Sequence, residues 1–171
     1  IDLFVETNPK AKIIGITGTN GKSTTAALLF HILKFNKIKS VICGNFGIPA
    51  CSINDPGENG VIILELSSYQ LDGAKSLSLD IATIINITPD HLDYHETFDR
   101  YVSSKLKIIN FLKSNGIFIY DKSNKLLNKI IDANKYNSLK FSSVNEKEAK
   151  DFINDNNYLK GTHNAINASI A

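Results

Sequence analysis

The chain of 171 residues has no methionine, no tryptophan, two cysteines, four prolines and a single arginine, Arg100. Cys43 and Cys51 are too few for a disulfide framework and have no CxxC spacing, so a reducing compartment is the simplest expectation. No run approaches the roughly eighteen apolar residues that a membrane helix needs, and the N-terminus has no basic-then-apolar signal pattern. Membrane and secreted classes are therefore disfavoured, and the expected location is cytoplasmic. The near absence of arginine argues against a nucleic-acid surface, because the lysines alternate with acids along the chain instead of clustering. Nineteen Lys plus Arg stand against seventeen Asp plus Glu, a net charge of +2.

With 43% hydrophobic and 21% charged residues the composition is that of one globular domain. A chain of this length buries roughly 70% of its unfolded surface and needs no metal or disulfide staple to fold. It starts at Ile1 and stops at Ala171 within HNAINASIA, a helix-compatible run with no Gly or Pro stop. The whole of 1–171 reads as a single domain cut from a longer protein, with 1–11 a linker or the end of a preceding segment.

Short apolar, β-branched runs bounded by turn residues predict strands at Lys12–Thr17, 40–43, 61–66, 81–87, 116–120 and 139–142. Helical spacing predicts helices over 23–35, 98–112 and Lys125–Ala133. Near-continuous apolar strands alternating with amphipathic helices are what a parallel sheet covered on both faces requires. The expected fold is a doubly wound α/β domain with a mostly parallel sheet. The polar, Asn-rich stretch 143–160 allows no assignment beyond a hairpin or surface excursion.

GITGTNGKSTT sits where the first strand becomes the first helix, so its amides and the helix N-terminus converge on one electropositive spot. Such a spot suits a phosphate: Gly18 and Gly21 admit close backbone approach, Lys22 adds a full charge, and Ser23 offers a hydroxyl to Mg²⁺. The loop departs from the strict P-loop pattern, because Ile16 stands five before Gly21, with Gly15 one place earlier. The bland alternative is a Gly-rich turn with a capping serine, which the strand–loop–helix order disfavours. A GTPase would also show an NKxD motif, whereas 134–137 reads NKYN and lacks the acid.

Ligands of doubly wound sheets collect at the carboxyl ends of the strands, and three polar positions fall there. Glu65 interrupts VIILEL, where a buried carboxylate needs a cation partner or the rescue of backbone amides or a lysine. Asp90 and His91 follow the fourth strand across Pro89. His91 and His95, four apart, could share a helical face, but no cysteine or third histidine is near enough for a zinc site; His95 reads as a solvated or packing residue. Tyr101 and Lys105, also four apart, lie on one helix face, and in isolation Lys105 reads as a surface lysine.

Taken together, GITGTNGKSTT, GNFGIP, ELSSYQL, NITPDHLDYH with a lysine fourteen residues after its first His, and GTHNAIN resemble the central ATP-binding domain of the Mur ligases, in order from about Lys12 to Ala171. The ELSSYQL segment is similar to the D-glutamate-adding members, while DHLDYH also occurs in the diaminopimelate- or lysine-adding ones. Folylpolyglutamate synthase shares the architecture and the GTNGK loop but differs after the equivalent Glu. The resemblance implies an ATP-dependent amide ligase of bacterial peptidoglycan synthesis that adds D-glutamate to UDP-N-acetylmuramoyl-L-alanine through an acyl phosphate. It implies ATP and two Mg²⁺ ions as cofactors. Gly18, Thr19, Asn20, Gly21, Lys22, Ser23 and Thr24 would cradle the phosphates. Ser23 and Glu65 would hold the first ion, and His91 with a carbamylated Lys105 the second, Glu65 lying near both. Asn45, Ser67 and Gln70 would face the muramoyl-alanine substrate or the γ-phosphate, Tyr101 would line the site, and His163, Asn164 and Asn167 would approach the adenine. The family's N-terminal, UDP-binding domain and its C-terminal, amino-acid-binding domain are both missing from this chain, so the isolated piece is expected to bind ATP weakly without full ligation. The competing readings are a P-loop kinase or ATPase and a non-catalytic nucleotide-binding module.

Overall fold

The computed structural model describes residues 1–133, 140–143 and 159–171. Its elements run α1 (Asp2–Glu6), β1 (Lys12–Thr17), α2 (Lys22–Phe35), β2 (Ser40–Gly44), a 3-10 turn at Ala50–Ser52, β3 (Val61–Glu65) and α3 (Ser68–Gly73). They continue with β4 (Leu79–Ile84), α4 (Leu92–His95), α5 (Phe98–Asn110), β5 (Leu112–Tyr120), α6 (Lys125–Ala133), β6 (Lys140–Ser143) and α7 (Thr162–Ile170). The strands form one six-stranded sheet in the order β2-β3-β1-β4-β5-β6, and every neighbouring pair is parallel. The expected doubly wound α/β fold is present. The former NKYN position and most of 143–160 lie outside the described residues.

A parallel sheet covered on both faces explains why all five residues of β3 are buried. Alternate side chains along it feed two cores. On one face Ile16, Ala26, Ile63, Ile85 and Ile170 pack with Leu29, Phe30, Leu33 and Ile166, which seats α2 and α7. On the other, Leu64, Leu66, Leu79, Ile84, Tyr101, Ile108 and Phe118 form a larger core that seats α5. Each such aliphatic side chain contributes about 1.5–3 kcal/mol on full burial. β1 lies between β3 and β4, so the strand order changes direction there, and the carboxyl ends of these three strands are where doubly wound sheets bind ligands.

Residues 1–11, expected as a linker or the end of a preceding segment, contribute Phe4 and Ala11 to the larger core. The Asp2 carboxylate also accepts the Lys75 and Ser76 amides at 3.0 Å each, tying α1 to the α3–β4 connection. A five-residue helix with one buried side chain is too short to show a period in sequence. β4 begins two residues earlier than its apolar run, because Asp80 accepts the Ile13 amide at 2.9 Å and is paired with Lys113 at 2.8 Å. The same pair lets the polar start of β5 join the sheet, so α5 ends at Asn110 and not at 112. Among the described residues no helix is long and apolar enough to cross a membrane.

Candidate active site

The phosphate-type loop leaves β1 at Thr17 and enters α2 at Lys22, with Gly21 in the left-handed region at φ 83° as the N-cap residue. A side chain is excluded at Gly21 on two counts, since a Cβ there would also stand 2.7 Å from Oδ1 of Asn167 on α7. Asn167, buried, thus abuts the loop at Gly21, and within α7 its Nδ2 donates to Asn164 Oδ1 at 3.4 Å; His163 is exposed at the start of the helix. The other flank of the loop is held by Asn86, just beyond β4. Its Oδ1 accepts the amides of Thr19 and Asn20 at 3.1 and 2.9 Å, and its Nδ2 donates to the Asn20 carbonyl at 3.0 Å. Sequence reasoning missed Asn86, although a polar residue at the end of an apolar strand is the same signal that singled out Glu65.

Lys22 folds back on its own loop, donating to the carbonyls of Gly18 and Thr19 at 2.9 and 3.0 Å. Burial lowers its pKa, against the opposing pull of Glu65 and Asp90. Glu65 is 1% exposed at the last position of β3, opposite Ile16 of β1 and Gly44 of β2. One of its oxygens accepts from Ser23 Oγ at 2.8 Å and the other from Asn45 Nδ2 at 3.0 Å. Both partners are neutral, and among the described residues no ion pair includes Glu65. A buried carboxylate flanked by a hydroxyl and an amide is a donor set suited to a hard cation, which takes oxygen ligands. Thus Ser23, Asn45 and Glu65 come together. Gly44 lets Asn45 approach: it sits at φ 101°, and a Cβ would run into the Glu65 carbonyl.

Lys105, read in isolation as a surface residue, is 2% exposed. Its Nζ donates to the Gly18 carbonyl at 2.9 Å and lies 4.7 Å from the centre of the Tyr101 ring. Burial, aided by the positive charge of Lys22 and opposed by Asp90, pushes its pKa down to about 7. The Tyr101 hydroxyl meets Thr19 Oγ1 at 2.9 Å, so α5 delivers both side chains to the phosphate loop. His91 is half-exposed at the mouth, 3.6 Å from Asp90, with its ring 5.1 Å from Tyr69 and 6.3 Å from Tyr101. Among the described residues no three His, Cys, Asp or Glu side chains converge as a metal cage.

Ser67 and Gln70 are engaged with each other. Ser67 caps α3 by accepting the Gln70 amide at 3.2 Å, and Gln70 Oε1 accepts the Ser67 amide at 3.0 Å. Beyond them, α4 is a helix of four residues between two non-glycine positions at positive φ, His91 (53°) and Glu96 (64°). Such conformations cost about 1–3 kcal/mol each and persist only where surrounding contacts impose them.

Residues 16–171 match the model of the Mur ligase middle domain. The chain is 42% identical over 130 residues to the UDP-N-acetylmuramoylalanine–D-glutamate ligase of Rickettsia prowazekii, covering 76% of this chain and 29% of that protein. It is 39% identical over 162 residues to the enzyme of the same name from Zymomonas mobilis, covering 95% of this chain and 36% of the relative. The chain thus spans about a third of the length of these curated relatives. Among solved structures, MurF ligase from Thermotoga maritima in complex with ADP superposes with a TM-score of 0.62 at 22% identity, covering 81% of this chain and 34% of that one. Helicobacter pylori folylpolyglutamate synthetase gives 0.62 at 14% identity over 98% of this chain and 56% of that one, a likeness of fold.

Proposed function

The chain belongs to the Mur ligase family, of which it is the middle domain, and from that membership we propose that it forms the ATP site of the ligase that joins D-glutamate to UDP-N-acetylmuramoyl-L-alanine in bacterial peptidoglycan synthesis. The observation that carries the reading is the buried Glu65 carboxylate held between Ser23 and Asn45 beside the glycine loop. The relatives named for D-glutamate ligation support the choice of amino acid.

In this reading the alanine carboxylate attacks the γ-phosphorus of ATP, the bond to the ADP oxygen breaks, and an acyl phosphate forms. The D-glutamate amine then attacks the acyl carbon, phosphate leaves, and the nitrogen gives up a proton. The amides of Gly18 to Thr24 and the N-terminus of α2 receive the phosphates. Lys22 exchanges its loop carbonyls for phosphate oxygens and stabilises the charge that develops in transfer. Asn45, Ser67 and Gln70 orient the carboxylate substrate, Tyr101 walls the site, and His163, Asn164 and Asn167 border the adenine.

In this reading Ser23 and Glu65, already joined by a 2.8 Å hydrogen bond, would hold one Mg²⁺ ion, and His91 with a carbamylated Lys105 would hold a second. Bound there, Mg²⁺ supplies charge neutralisation along the triphosphate. For Lys105 to serve, its neutral amine must add to CO₂, forming an N–C bond and releasing one proton to leave a two-oxygen carbamate. Burial supports this by keeping part of the amine neutral near pH 7. A reaction that consumes ATP and a UDP-linked substrate belongs in the cytoplasm.

The test is an assay of the full-length ligase offered D-glutamate, diaminopimelate and lysine in turn. ADP and phosphate should appear in step with amide product for D-glutamate alone. Preference for diaminopimelate or lysine would move the protein to a sister enzyme with the ATP site intact, and ATP hydrolysis without any amide would contradict the ligase reading.

A further inference from the structure

We propose that His95 is a positioning residue of this site: wedged between Ser68 of α3 and Ser104 of α5, it fixes the short α4 segment and thereby sets where His91 stands relative to Lys105. The inference rests on the ligase reading for the role of His91, and on geometry for the clamp itself.

Within α4 only His95 is buried, at 4% exposure, while Leu92 and Tyr94 are 43% and 50% exposed. Its Nε2 lies 3.0 Å from Ser68 Oγ and its Nδ1 3.4 Å from Ser104 Oγ. Ser104 Oγ in turn lies 3.2 Å from Asp72 Oδ1, which is bound to Lys107 at 2.7 Å. The imidazole therefore links one end of α3, across α4, to α5, where the Ser104 hydroxyl shares its single proton between the Arg100 carbonyl at 3.0 Å and Asp72 of α3.

Each contact falls next to a residue of the candidate site. Ser68 follows Ser67 and the end of β3, Ser104 precedes Lys105, and the His95 amide closes the α4 turn on the His91 carbonyl at 3.0 Å. A four-residue helix cannot sustain the positive φ values of His91 and Glu96 by its own hydrogen bonds. The buried ring, packed 5.3 Å from Tyr101 and 4.7 Å from Tyr94, supplies the constraint. Partners one shell removed from a metal ligand set its orientation, and their loss weakens metal binding by roughly 10–100-fold.

The experiment uses the full-length ligase and three variants. His95→Phe keeps a flat ring and loses both hydrogen bonds, Ser68→Ala removes the Nε2 partner with little change of volume, and His95→Gln keeps an amide to meet a serine. Three quantities are read: the Mg²⁺ concentration for half-maximal activity at saturating ATP, the Kd for Mn²⁺ of the nucleotide-loaded protein by electron paramagnetic resonance, and amide exchange across 91–96. We expect His95→Phe and Ser68→Ala to raise both metal midpoints about tenfold and to speed exchange across 91–96, with exchange in β1 and α2 and the KM for ATP unchanged. His95→Gln should restore part of the metal affinity. Metal midpoints unchanged in both His95→Phe and Ser68→Ala, whatever happens to exchange or Tm, would overturn the proposal and leave His95 a packing residue. Should His95→Phe fail to fold, Ser68→Ala decides by the same criterion. Mn²⁺ binding and exchange need no turnover, so a protein inactive with every amino acid would refute the functional reading while the clamp was still judged on metal affinity.

Discussion

The β1–α2 loop and the α4–α5 segment meet over the Gly18 carbonyl, yet they reach it by different routes. Lys22 bonds that carbonyl from four residues away, within a motif whose glycines, lysine and serine are consecutive in sequence. Lys105 bonds the same oxygen from eighty-seven residues away, and only because α5 packs across the sheet with Tyr101 against Thr19. The first arrangement is a property of local backbone geometry and survives as long as strand, turn and helix form. The second is a property of packing, and its buried ammonium costs stability in return for placing an amine in the site.

The largest effect expected is on the local side. Lys22→Ala should lower kcat/KM of the ligase by at least about 10²–10³-fold, with little change in Tm, because the side chain is half-buried at the first position of α2 and no arginine is near to replace its charge. Retention of most activity would detach the loop from phosphate transfer. On the packed side, Lys105→Ala should lose on the order of 10²-fold in activity, part of which acetate or formate restores by entering the space of the lost carbamate. Wild-type activity in that variant would reduce Lys105 to a structural lysine.

Lys105→Met sharpens the contrast, since it should gain stability while losing function. In CO₂-free buffer Lys105 titrates at about 7 in the folded chain against 10.5 in the unfolded one, so between these pH values the unfolded chain binds a proton that the folded chain does not. Stability should therefore rise with pH across that window in the wild type, and this rise should be missing from Lys105→Met. At pH 7 the variant should be more stable by on the order of 2 kcal/mol, read from chemical denaturation. The smallest effect is at the α3 cap. Ser67→Ala should cost about 1 kcal/mol, a Tm shift of roughly 2–4 °C, with a further loss of activity from its contact to the carboxylate substrate; activity that falls no further than stability would leave Ser67 a helix cap alone.

This contrast also explains what could be read from the residues. Strand positions, the glycine loop and the parallel order follow from apolar runs and turn residues, which are local signals. Glu65 was visible because a carboxylate inside VIILEL needs a partner, either a cation or the rescue of backbone amides or a lysine. The burial of Lys105 was not, since a helix face carries no mark of what will cover it; only the family resemblance singled it out. α3 and α4 were hidden by their length, six and four residues, and β4 and β5 began earlier than expected because the Asp80–Lys113 pair disguises two paired strand positions as a turn. Asn86 carried the same mark as Glu65, a polar residue ending an apolar strand, but what it does, one side chain holding the backbone of a distant loop, has no trace in the local sequence.

The proposed activity is transfer of the γ-phosphate to a carboxylate beside the glycine loop and Glu65. It is tested most directly by supplying the full-length ligase with UDP-N-acetylmuramoyl-L-alanine whose alanine carboxylate is labelled with ¹⁸O, together with ATP and D-glutamate, and analysing the released phosphate by mass spectrometry. An acyl-phosphate route leaves one labelled oxygen in each phosphate formed alongside amide product. Amide formation with unlabelled phosphate would contradict it.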